Sequence, residues 1–183
     1  MDALELLLSR RSNKKLVEPA PQGEQLDNIL QAALHAPDHG RLTPYRFVII
    51  EKEGRAVLER LLKSAVDELG LGEERKKKAE DVSHRVPMFI AVIAKINTDV
   101  PKVPGWEQML TAGCATYAMQ LAANAQGFDN VWVTGPWIDG AELRQAFGCE
   151  EQDKVIALVM MGTAEQKLEK AKTYDLTEYV SYL

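Results

Sequence analysis

Cysteine is scarce in this chain of 183 residues: only Cys114 and Cys149 occur, neither in a Cys-x-x-Cys pair. A disulfide scaffold or a cysteine-built zinc site therefore has little support, and reduced, buried thiols are expected. Basic excess is missing as well. Lys and Arg number 22 against 27 Asp and Glu, a formal charge of −5, whereas a duplex-binding protein turns a basic face to the phosphates. No nucleic-acid partner is expected. The N-terminus, Met1-Asp2-Ala3-Leu4-Glu5-Leu6-Leu7-Leu8, has neither the basic leader nor the apolar length of a signal peptide. Long apolar runs are lacking too: Pro87 to Ile96 is too short to cross a bilayer, and Trp106 to Gln126 is interrupted by Glu107, Gln108, Gln120 and Asn124. These absences suggest a cytoplasmic protein without a membrane span.

What is present is a globular composition, 46% hydrophobic and 27% charged, at a length suited to a single domain over residues 1–183. Leu4, Leu7 and Leu8 recur at helical spacing, and Leu26, Ile29, Leu30, Ala33 and Leu34 mark a second helix that ends by Pro37. Tyr45 to Ile50 reads as a strand, and an amphipathic helix from about Arg55 to Leu69 stops at Gly70 and Gly72. In the charge run Glu73 to Asp81, Glu73 and Glu74 precede Lys77 and Lys78 by four residues, as in a solvated, self-paired helix. Pro87 to Ala94 is almost wholly apolar and predicts a central strand covered on both faces. The helix Trp106 to Gln126 carries Ala112, Gly113, Ala115, Ala118, Ala122 and Ala123, which suits either a core helix or a subunit interface. Val131 to Thr134 and Val155 to Met160 are further strands, separated by a helix with Asp139 as its N-cap. The tail from Thr163 to Leu183 ends in tyrosines and aliphatics and is expected to pack on a partner subunit.

Three segments hold groups that could carry chemistry. Arg10-Arg11-Ser12-Asn13-Lys14-Lys15 joins bidentate phosphate donors, a hydroxyl and point charges, which serves a phosphate ester and an electron-rich ring but also describes a solvated basic turn. His35 and His39 are four apart, but Pro37 disfavours a continuous helix between them and His84 adds no convincing third ligand. A polar or capping role, a cofactor contact and a metal site stay open there, with metal the weakest. Trp132 fits either a core position or a strand whose backbone offers amides to a ligand edge.

In order and spacing, Arg10-Arg11-Ser12-x-Lys14, Ala33-Leu34-His35-Ala36-Pro37, Pro44-Tyr45-Arg46-Phe47-Val48, Gly113-Cys114-Ala115, Leu121 to Gly127, Val131-Trp132-Val133-Thr134-Gly135 and Leu158 to Gly162 resemble the nitroreductase family of FMN enzymes over nearly the whole chain. The resemblance implies an α+β homodimer, a mixed or antiparallel central sheet flanked by helices, with FMN at the dimer interface. It implies electron transfer from NADH or NADPH to a small organic acceptor such as a nitroaromatic or quinone. The alternative is a flavin-binding protein of the same fold with a different redox reaction or little turnover. Cofactor-binding roles carried over by position fall to Arg10, Arg11, Ser12 and Lys14, to His35, Pro37 and His39, and to Val131, Trp132, Val133, Thr134 and Gly135. Flavin chemistry requires no catalytic side chain, and no metal is implied. The chain departs from the family's Ala-Pro-Ser-x-x-Asn-x-Gln-Pro-Trp stretch with Ala36-Pro37-Asp38-His39-Gly40-Arg41-Leu42-Thr43-Pro44-Tyr45, so His35 or His39 would replace an asparagine contact. It also lacks the family's C-terminal arginine, for which Lys170 and Lys172 are the substitutes.

Overall fold

Seven consecutive side chains of Met88–Ala94 are shut off from solvent, which requires packing on both sheet faces. In the computed structural model, which describes residues 2–168 and 173–183, this strand is β3 of five. The chain order is α1 (Ala3–Ser9), β1 (Leu16–Val17), α2 (Glu24–Leu34), β2 (Tyr45–Glu51), α3 (Gly54–Glu68), α4 (Glu73–His84), β3, α5 (Gly105–Ala125), β4 (Asp129–Val133), α6 (Ala141–Ala146) and β5 (Lys154–Ala164). Short 3-10 turns occupy Pro136–Asp139 and Leu176–Glu178.

The sheet runs β2-β3-β5, and β5 pairs on its far side with β4 and, at its end, with β1. All these ladders are antiparallel; among the described residues a parallel contact appears only as the isolated bridge Ser12↔Asn130. Alternation along β3 sorts the core into two layers. Phe89, Ala91 and Ile93 face α3, α4 and α6 through Leu58, Leu62, Val82 and Leu143, while Met88, Ile90 and Val92 face α2 and α5 through Ile29, Ala33, Ala115 and Met119. The α+β sheet flanked by helices is the architecture expected.

Several local expectations need correction. Asp139 closes a 3-10 turn and does not cap α6; Gly140 is the N-cap, and Glu68 of α3 accepts the Ala141 N–H at 2.8 Å instead. Cys114 is exposed, on the side of α5 that also carries Leu110 and Tyr117 and not on the buried side of Ala112, Ala115 and Ala123, and Cys149 is half-buried. The ion pairs of α4 reach α3: Lys76 binds Asp67 at 2.7 Å and Glu80 binds Lys63 at 3.1 Å. One face of α4 also buries Ala79, Val82 and Ser83, so the helix is docked on α3. β1, at two residues, was not anticipated.

Candidate functional site

The basic segment begins where α1 ends, with the Arg10 N–H donating to Leu6 O as the C-cap. Asn13 then turns inward while Ser12, Lys14 and Lys15 stay exposed. The Asn13 amide donates to Asp129 Oδ2 at 2.8 Å and to Gln166 O at 3.0 Å, and its oxygen accepts the Lys15 N–H at 3.0 Å. Its backbone N–H donates to Asn130 O at 3.0 Å. The loop is thereby seated on the start of β4. Asn130 is fully buried, its side chain exchanging two hydrogen bonds with Gln120 of α5, at 2.8 and 2.9 Å. Arg10 and Arg11 line a cleft of about 240 Å³ together with Asn124, Asp129 and Lys167.

Further along β4 the side chains divide by face. Val131 and Val133 point into the α3 layer, so only their backbone is available to a ligand. Trp132 points the other way, with its ring 3.8 Å from where a Cβ on Gly113 of α5 would stand. It is 37% exposed, and its indole N–H donates at 2.9 Å to Ile156 O. That carbonyl is free because Ile156 is the bulged residue between the pairs Val92↔Ala157 and Ile93↔Val155. Thr134 is exposed, and Gly135 is covered by the Trp137 ring. The structure therefore joins two of the three predicted segments, Arg10–Lys14 and Val131–Gly135, along one sheet edge through the Ser12↔Asn130 bridge.

The third segment stands apart. His35 is the C-cap of α2 with an exposed side chain, Pro37 is exposed, and His39 Nδ1 lies 2.7 Å from Glu107 Oε2 in the first turn of α5. The loop after His39 is knotted: Gly40, Arg41 and Thr43 take φ of 82°, 54° and 47°, and Asp38 Oδ2 accepts the Thr43 N–H at 2.7 Å. Non-glycine residues with such angles cost about 1–3 kcal/mol each and gather at sites where the backbone is held for a purpose. Among the described residues His35 and His39 have no companions in a metal-holding group. Glu107 and Asn124 lie about 25 Å apart along the axis of α5 at 1.5 Å per residue. The histidine loop is thus fixed at one end of this helix and the arginine cleft at the other. Lys170 and Lys172 fall outside the described residues, whereas Lys167, which sequence reasoning passed over, lies in the cleft. Asn13 was passed over too, because its partners Asp129 and Gln166 are remote in sequence.

An antiparallel α+β domain with a cationic cleft at one sheet edge and a half-exposed indole on the same strand has the makings of a small-ligand protein. The chain belongs to the Nitroreductase family, whose sequence model matches residues 7–163. It is 59% identical to a "Putative NAD(P)H nitroreductase" of Haemophilus influenzae and 44% identical to "Putative NAD(P)H nitroreductase YdjA" of Escherichia coli, in both cases over 100% of each chain. In fold it is similar to a nitroreductase-like family protein from Bacillus cereus, with TM-score 0.85 and 19% identity over 100% of this chain and 96% of that one. A structure described as an FMN-dependent nitroreductase from Clostridium difficile aligns with TM-score 0.71 and 22% identity over 98% of each chain.

Proposed function

We propose that this protein is a homodimeric FMN-dependent oxidoreductase that draws electrons from NADH or NADPH and passes them to a small organic acceptor such as a nitroaromatic or quinone. One observation carries the reading: Arg10, Arg11 and Lys167 gather around one open cleft at the foot of the strand that leads to Trp132. The names of the Haemophilus influenzae and Escherichia coli relatives supply the nicotinamide, and that of the Clostridium difficile structure supplies FMN.

The donor set fits the group. Two guanidiniums and an ammonium suit a phosphate monoester, and the exposed Ser12 hydroxyl adds a neutral donor. When bound, the flavin supplies the hydride-accepting and hydride-donating centre. The chain's own residues bind and orient. Lys14 would hold an ammonium beside the flavin where negative charge accumulates on reduction, and the backbone from Val131 to Gly135 would hold the ring edge. His35, Pro37 and His39 act from the partner, since their loop is held through His39 at Glu107, about 25 Å along α5 from Asn124 in the cleft of the same chain.

The same separation supports pairing, and exposed apolar surface supports it further. Trp106, Leu110 and Tyr117 make an uncovered stripe on α5, Leu4, Leu7 and Leu8 do so on α1, and α1 buries no residue at all. Stripes of this extent mark an interaction face. Titrating the full chain with FMN at micromolar protein should change the flavin's absorbance and fluorescence. A folded chain that leaves both unchanged would overturn the reading. Anaerobic stopped-flow reduction by NADH and NADPH, followed by acceptors in turn, then separates a turnover enzyme from a flavin carrier.

A further inference from the structure

We infer that Asn13 is a positioning residue that sets the spacing of the cationic cleft and keeps its arginines and lysine free for a phosphate; the inference rests on the FMN reading above. Asn13 is 3% exposed, and none of its side-chain hydrogen-bonding groups is idle. The two acceptors of its amide lie on different arms of the cleft. The segment it sits in carries Arg10 and Arg11, Asp129 is a wall residue itself, and Gln166, whose carbonyl accepts at 3.0 Å, directly precedes Lys167. One primary amide therefore joins the arginine arm to the lysine arm. Asparagine is the short side chain that offers two donors and an acceptor at once; aspartate, serine and alanine do not.

The same amide settles a charge conflict. Asp129 stands in the cleft wall, where its carboxylate could neutralise an arginine. Instead, Oδ2 accepts from Asn13 at 2.8 Å and Oδ1 is approached by the Asn124 amide at 3.5 Å. Among the described residues Arg10, Arg11 and Lys167 take part in no recorded ion pair, while lysines elsewhere on the surface do. With the carboxylate occupied by neutral donors, the cations remain available and preorganised, which lowers the ordering cost of binding an anion. Removing the Asn13 amide both frees the Lys167 arm and releases Asp129 toward the arginines.

The consequence is specific to the phosphate, so the readout is the ratio of riboflavin to FMN dissociation constants, measured by flavin fluorescence on the full chain. Asn13→Ala should lower this ratio by about tenfold or more, the loss of a charge-assisted hydrogen bond's worth of phosphate binding. A merely structural role would weaken both ligands alike and leave the ratio unchanged, which would overturn the inference. Lys167→Gln, at an exposed position that cannot unfold the core, should lower the ratio in the same direction. An unchanged ratio there would also overturn it, even if Asn13→Ala fails to fold. Failure of the FMN reading looks different: the unaltered chain would then bind neither flavin.

Discussion

Gly135 shows how one missing methyl group shapes the site. Its φ of −164° is extended backbone open to any residue, so space and not conformation holds the position to glycine. A Cβ there would come within 2.4 Å of Cε2 of Trp137, a ring 4% exposed and locked against α3. Gly135→Ala should therefore destabilise the protein by about 1–3 kcal/mol, seen as a lower denaturant midpoint at constant slope. Under the proposed function Lys14 acts by charge instead. It is exposed, so Lys14→Ala should leave the melting temperature nearly unchanged while lowering the flavin midpoint potential, by about 30 mV per 1.4 kcal/mol of lost preference for the reduced form. An unchanged potential with weaker FMN binding would make Lys14 a phosphate-side contact. The exposed cations were legible in the sequence because their residue types announce them. Asn13 was not, since an asparagine between basic residues acquires meaning only when Asp129 and Gln166 are folded against it.

Elements with strong local patterns were readable, and those defined by remote partners were not. β3 announced itself by an unbroken apolar run, α2 and α3 by their periodicity, and α5 by its long run of small and apolar residues. β1 exists because Leu16 and Val17 meet the end of β5, and the start of α6 is capped by Glu68 from α3. The turn before β5 likewise depends on a remote charge. Asp153 is 1% exposed; burial works to raise its carboxyl pKa, but N–H donors from Glu150 and Ile96 and the Lys95 ammonium outweigh it and hold the pKa below the ordinary carboxylate value. A carboxylate with a depressed folded-state pKa stabilises the fold above the unfolded value of about 3.9, and that contribution is lost as pH falls through the folded one. Asp153→Asn should thus lower stability at neutral pH, by about 3 kcal/mol for breaking a buried pair, and flatten the acid limb of the stability profile. Denaturant unfolding at pH 7 and at pH 3 checks it: the gap between variant and parent should shrink at the lower pH.

At the scale of the molecule, large apolar side chains stand exposed on α1, on α5 and in the tail. The tail is the extreme case: Tyr174, Leu176, Tyr179 and Tyr182 are each more than half exposed, and Tyr174 and Tyr179 meet edge to face with ring centroids 6.5 Å apart. Burying each large side chain against a partner contributes roughly 1.5–3 kcal/mol. In the proposed homodimer, two-fold pairing along the Trp106, Leu110 and Tyr117 stripe would give each subunit a partner for its tail and create two equivalent sites. Under the proposed function, the arginine cleft of one chain and the histidine loop of the other would border a single flavin, an arrangement favoured by their standing at opposite ends of α5. Truncation after Lys172 removes the tail without touching the sheet or either core layer. Light scattering on the truncated chain should show a shift toward monomer, and FMN affinity should fall with it. A stable monomer that binds FMN as tightly as the full chain would show that each subunit carries a complete site, and the shared-site arrangement would have to be given up.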